Sequence, residues 1–156
     1  MSGAPADSRG FSLLEVVIVM AIAGILAAVA IGGMGGLQAR MGVRAAQSEF
    51  LSMHAQTRAT AVERGILVAL VTSPDGAVRI QEGCDGAGAE FQARDFGEQH
   101  GVTVETGDGE VVLCMTPRGY ASQAGNSFSG EARIGFVRGD HSRAVILRPL
   151  GQAVRP

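Results

Sequence analysis

The sequence predicts an α+β protein: one long N-terminal helix, apolar over its first half, packed on a C-terminal antiparallel β-sheet domain. Three observations predict it. From Phe11 to Ile31 the chain is uniformly apolar or small except for Glu15. From Leu37 to Arg64 apolar residues recur at the helical period. Beyond Gly65 the pattern changes to short aliphatic runs separated by Gly, Pro and Asp, the signature of strands and turns.

Residues 1–10 form a short, polar, small-residue leader in which Asp7 and Arg9 cancel, and they are set apart from the fold. Residues 11–31 are predicted to be transmembrane. At about 1.5 Å per residue a helix of this length crosses a hydrocarbon layer of roughly 30 Å. Glu15 is the anomaly in the run. An ionised side chain inside a membrane costs several kcal/mol unless partnered, and so marks a functional contact. A secretory signal cut after Ala28-Val29-Ala30 is the competing reading. Its apolar core would span only about 7–15 residues, and this run is longer and contains the acid.

Residues 32–36 hold four glycines around Met34. Each lowers helix stability by up to about 1 kcal/mol relative to alanine, which predicts a hinge. Gly32 and Gly36 also have the small-residue spacing of a helix-packing face. Residues 37–64 read as an amphipathic helix. Leu37, Met41, Ala45, Leu51, Ala55, Ala59 and Val62 supply the stripe expected to pack on the sheet. Arg40, Arg44, Glu49, Arg58, Glu63 and Arg64 are expected to be solvated or to face a partner, and His54 to lie on the surface or half-buried. Gly65 is placed to end the helix.

Residues 65–156 are predicted to be β-rich. The runs 66–72 and 77–82 flank Ser73-Pro74-Asp75-Gly76 as a first hairpin. Residues 83–88 form a loop around Cys84, and Phe91 and Phe96 anchor an irregular segment. Residues 102–105 and 111–115 are expected to pair as a second hairpin about Gly107-Asp108-Gly109. A short strand is expected at 118–122 and a loop at 125–130. Residues 132–137 and 143–147 pair around Arg138-Gly139-Asp140-His141, and 149–156 form a tail.

Composition argues against an enzyme. The chain has 156 residues, little more than one membrane helix and one small domain. Aromatics are 4% with no Trp, so the core must be aliphatic. The net charge of −2 gives no global attraction to nucleic acid. His54, His100 and His141 are scattered without metal-ligand spacing, and no nucleophile motif is present, so no catalytic residue, cofactor or metal is expected. Gly107-Asp108-Gly109-Glu110 suits a hairpin turn better than a calcium loop, which needs more oxygen ligands at alternate positions.

The motif Gly10-Phe11-Ser12-Leu13-Leu14-Glu15, between a polar leader and an apolar helix, closely resembles the processing site of type IV pilins and type II secretion pseudopilins. The resemblance implies a type IV pilin-like fold and a prepilin peptidase that cuts after Gly10. Phe11 would then be the N-methylated mature N-terminus and Glu15 the acidic fifth residue. The new amine of a neighbouring subunit could reach Glu15 during assembly, lowering the cost of burying both charges.

The arginines among alanines at 44, 58 and 64, the run Gly65 to Leu70, and Arg143 to Gly151 resemble the GspH/FimT group of minor pseudopilins and minor pilins. The resemblance implies a structural subunit in the pseudopilus of a type II secretion system or, alternatively, a minor pilin of a type IV pilus. Its place would be the bacterial inner membrane as a single-pass protein with its C-terminal domain in the periplasm. Its partners would be prepilin peptidase and other pilins or pseudopilins. In an oxidising periplasm Cys84 and Cys114 could form a disulfide or remain two thiols. Some FimT-like pilins take up DNA through a basic tail, which draws attention to Arg143, Arg148 and Arg155. A nucleic-acid partner is nevertheless disfavoured, because Gln152 stands where such a tail has its first arginine and no aromatics are at hand to stack bases.

Overall fold

The computed structural model describes residues 12–107 and 109–156, and the side chains of these except 28–34. Gly10, Phe11, Asp108 and the leader lie outside the described residues. The chain separates into two units, Met1–Leu37 and Gln38–Pro156, with one helix shared between them.

That helix, α1, runs over Leu13–Arg64. Its first turn closes where the Glu15 and Val16 amides donate to the Ser12 carbonyl, at 3.0 and 3.3 Å. Glu15 there sits well against the helix dipole. The helix is continuous through residues 32–36. It ends at Gly65, whose φ of 68° lies in the left-handed region that glycine enters without strain.

The remaining elements follow in order: β1 (Val68–Thr72), β2 (Ala77–Glu82), β3 (Glu90–Asp95), α2 (Phe96–His100), β4 (Thr103–Glu105), β5 (Val111–Met115), β6 (Ala132–Arg138), β7 (His141–Leu147) and β8 (Ala153–Val154). They make two four-stranded antiparallel sheets, ordered β3-β2-β1-β5 and β4-β6-β7-β8. The first and third expected hairpins are present, with Thr72 opposite Val78 and Arg138 opposite His141.

The second is not. β4 pairs with β6 and β5 with β1, so the segment between β4 and β5 passes from one sheet to the other. The reason lies in β1, all five of whose residues are buried. Such a strand needs a partner on each edge, and β5, itself largely buried, takes the edge opposite β2. The strand expected at 118–122 is a tight return instead, held to β5 by the single bridge between Met115 and Ala121. β3, α2 and β8 are additions to the predicted pattern. Asp95 caps α2 by accepting from the Glu98 amide at 2.9 Å.

The face of α1 that packs is also different from the expected one. Val43, Ala46, Gln47, Phe50, Met53, His54, Thr57 and Ala61 are buried at spacings of three and four. Met41 and Val62, expected inside, are 62% and 52% exposed. Ala45, Ala55 and Ala59 are exposed with them. The largest side chains choose the face: the Phe50 ring lies tilted at 5.7 Å from Phe136, which in turn stacks on Phe96 at 5.8 Å. The buried polar residues on that face all find acceptors. Gln47 Nε2 donates to the Ala144 carbonyl at 2.7 Å, Thr57 Oγ1 to the Met53 carbonyl at 2.7 Å, and His54 Nε2 contacts the Gly151 carbonyl at 2.9 Å. Arg58, expected to be solvated or to face a partner, donates to the same Gly151 oxygen at 2.5 Å.

Candidate assembly surface

An assembly surface begins with what the helix leaves uncovered. Leu13, Leu14, Val16, Val17, Ile18, Val19, Met20, Ile22, Ile25 and Leu26 are all exposed, from 45% at Val16 to 83% at Leu13. Consecutive residues point to every side of a helix, so this is apolar surface all round rather than one stripe. Such a helix is stable only in surroundings supplied from outside the chain, whether lipid or other helices. Among the described residues no helix is long and apolar enough to cross a membrane. The run 11–31 predicted to do so extends into Phe11 and the side chains of 28–31, outside that description.

Glu15 lies in this surface, exposed in the first turn of α1 between apolar neighbours. Gly10 and Phe11, which would define the processing site, are outside the described residues. Further along, the exposed stripe of Met41, Ala45, Ala55, Ala59 and Val62 gives α1 a second apolar strip, on the side away from its packed face.

The domain beyond α1 is rigidly tied. Cys84, in the loop after β2, is joined to Cys114 on β5, with Cα atoms 5.6 Å apart. Gly125 packs on this bridge so closely that a Cβ there would lie 2.7 Å from Cys114 Sγ. Gly42 has the same role at the helix: a Cβ on it would meet the His100 carbonyl oxygen at 2.6 Å. Beside it, Arg138 donates to that carbonyl at 2.9 Å, and His100 Nε2 lies 2.6 Å from Glu49 Oε2.

The three arginines noted for DNA are not brought together. Arg148 is held by Glu131 at 3.2 Å and Gln152 at 3.4 Å. Arg155 is exposed after β8, and Arg143 lies at the other end of β7, where it lines a cavity with Arg40 and Arg44. Among the described residues no three His, Cys, Asp or Glu side chains are grouped to hold a metal ion. Glu110, considered for calcium, accepts from Ser73 at 2.9 Å and pairs with Arg79 at 3.0 Å.

Sequence reasoning missed Gln47, His54, Thr57 and Gly42 as packing residues. The missed signal was the spacing of Val43, Ala46, Phe50, Met53 and Ala61, which carries larger side chains than the rival stripe.

The family described as prokaryotic N-terminal methylation motif matches residues 6–31. No curated protein sequence matches the chain. Among solved structures, the type IV minor pilin FimU of Pseudomonas aeruginosa strain PAO1 is similar in two crystal forms. In space group P21 the TM-score is 0.57 at 14% identity, over 75% of this chain and 90% of FimU. In space group P65 it is 0.53 at 14% identity, over 72% and 91%. The chain thus joins an N-terminal methylation motif to a type IV pilin-like fold, an N-terminal helix packed on antiparallel β-sheet.

Proposed function

We propose that the protein is a minor subunit of a pilin-type filament, made as a precursor and cut after Gly10 by a prepilin peptidase that N-methylates Phe11. The observation that carries the reading is the methylation motif matched over residues 6–31 together with the apolar surface exposed all round α1 from Leu13 to Leu26. Before assembly, residues 11–31 anchor the chain in the bacterial inner membrane with the folded domain in the periplasm. During assembly the same helix exchanges lipid for neighbouring subunits. Glu15 then finds the methylated amine of an adjacent Phe11 as its counter-charge. The exposed stripe from Met41 to Val62 supplies further contact area.

Nothing in this role requires catalysis, and the protein acts as a structural part. Two machines use such parts. The resemblance of Arg143 to Gly151 to the GspH/FimT group favours the pseudopilus of a type II secretion system. The fold likeness to FimU, a type IV minor pilin, supports a place in a type IV pilus. Deleting the gene and scoring secretion against twitching motility separates them.

The shared claim is tested by replacing Glu15 with alanine. The Glu15→Ala chain should insert and be cleaved as before but be depleted from sheared filaments by roughly tenfold or more, since a lost charge contact in an apolar setting is worth more than about 1.4 kcal/mol. Normal incorporation of this variant would overturn the role given to Glu15.

A further inference from the structure

Three arginines of the folded unit converge on one cavity that holds a single acid, Asp140. Arg40 and Arg44 stand one turn apart on α1, and Arg143 lies on β7. Together with Asp140, His141 and Ser142 they line an open cavity of about 320 Å³. That is at the small end of ligand cavities, which run from roughly 300 Å³. Asp140 is the only acid on the lining. Among the described residues none of the three guanidiniums is in an ion pair, whereas Arg79, Arg94 and Arg148 each have a glutamate.

The placement of Arg143 makes the arrangement more than a chance of surface charge. Along β7 it shares the parity of Val145 and Leu147, which are buried, and it stands opposite the buried Phe136. A guanidinium thus occupies the position where the inward-facing series of β7 reaches the cavity mouth. Like charges one helical turn apart repel, so the Arg40/Arg44 pair is unfavourable until an anion sits between them. Guanidinium forks match tetrahedral oxyanions through paired N–H donors.

We propose that this cavity binds a phosphate group, held by Arg40, Arg44 and Arg143 together. The group can come from free phosphate or from an anionic phospholipid headgroup. The lipid source is considered because Arg40 follows Ile31, the end of the apolar run, by only nine residues in the sequence. The site does not depend on the chain entering a filament.

The test uses the full chain, ¹⁵N-labelled, in a nonionic detergent, and follows the arginine Nε–H signals. Inorganic phosphate and dihexanoyl phosphatidylglycerol are added separately, with chloride at equal ionic strength as control. Saturable shifts of Arg40, Arg44 and Arg143 are expected with phosphate, weakened roughly tenfold in Arg143→Gln and in the Arg40→Gln/Arg44→Gln pair. Binding of the phosphatidylglycerol tighter than both dihexanoyl phosphatidylcholine and inorganic phosphate assigns the lipid source, and binding of inorganic phosphate at least as tight as the phosphatidylglycerol assigns the free anion. The three positions are exposed, so the variants should keep the parent's thermal midpoint, and Arg143→Lys should retain part of the affinity. Absence of saturable shifts, equal shifts with chloride, or undiminished binding in the glutamine variants would overturn the proposal. So would a response to a DNA duplex alone, which would point to a nucleic-acid surface instead.

Discussion

His54 on α1 and Gly151 before β8 meet at 2.9 Å through the histidine Nε2 and the glycine carbonyl, and Arg58 reaches the same oxygen one turn later. Gly151 can present its carbonyl this way because its φ of 89° suits glycine and because a Cβ there would come within 3.0 Å of Ala121. The contact fastens the helix to the end of the chain.

It also makes stability depend on pH. Burial lowers the His54 pKa below its ordinary 6.5, the Gly151 hydrogen bond opposes that, and the Arg58 charge lowers it further. The unfolded chain therefore takes up a proton near pH 6.5 that the folded one resists. Unfolding is favoured as pH falls below that value, so this contribution is complete above it and is lost downward through it. Denaturant titrations of the parent and of His54→Gln should converge as pH is lowered from 8 to about 5.5. A constant difference across the range would refute the linkage.

The choice of helix face is tested by two substitutions with opposite outcomes. Phe50→Ala should cost about 3–5 kcal/mol of unfolding free energy, because Phe50 is fully buried against Phe136. Met41→Asp should stay within about 0.5 kcal/mol of the parent, because Met41 is exposed. The same Met41→Asp chain should be poorly incorporated into filaments, as assayed by immunoblot of sheared fractions.

These faces show where the sequence was readable and where it was not. The apolar run with its single acid, the end of the helix at Gly65, and the hairpins β1–β2 and β6–β7 follow from local pattern. The packed face of α1 was hidden because Gln47, His54 and Thr57 look solvated until their carbonyl partners, two of them distant in the chain, are in place. The pairing of β5 with β1 was hidden for a similar reason: a glycine-rich link suits a hairpin and a crossing between sheets equally well. β3 gave little signal because most of its side chains are exposed or half-buried. The convergence of Arg143 with Arg40 and Arg44 depends on tertiary structure and leaves no mark in spacing.

Two helical glycines should respond oppositely to a methyl group. Gly42→Ala places a Cβ 2.6 Å from the His100 carbonyl, forcing a backbone shift that should destabilise the domain by about 1–3 kcal/mol. Gly36→Ala meets nothing within 4 Å and should stabilise the helix by up to about 1 kcal/mol. Chemical denaturation followed by circular dichroism distinguishes the two.

The link between Cys84 and Cys114 closes a separation of 30 residues. Replacing both with serine should lower the unfolding free energy by roughly 3 kcal/mol on the chain-entropy account. Peptide mapping of the protein without reductant should recover the two cysteines in one linked fragment, and finding both as free thiols would contradict the pairing.

The central claim is that this chain is processed as a filament subunit, and the mature N-terminus tests it most directly. Mass spectrometry of the protein recovered from cells with an active prepilin peptidase should find N-methylphenylalanine at Phe11 followed by Ser12 and Leu13. In cells lacking the peptidase the chain should retain its leader. A mature protein beginning at Ile31, or one that keeps Met1 to Gly10 in the presence of the peptidase, would contradict the account.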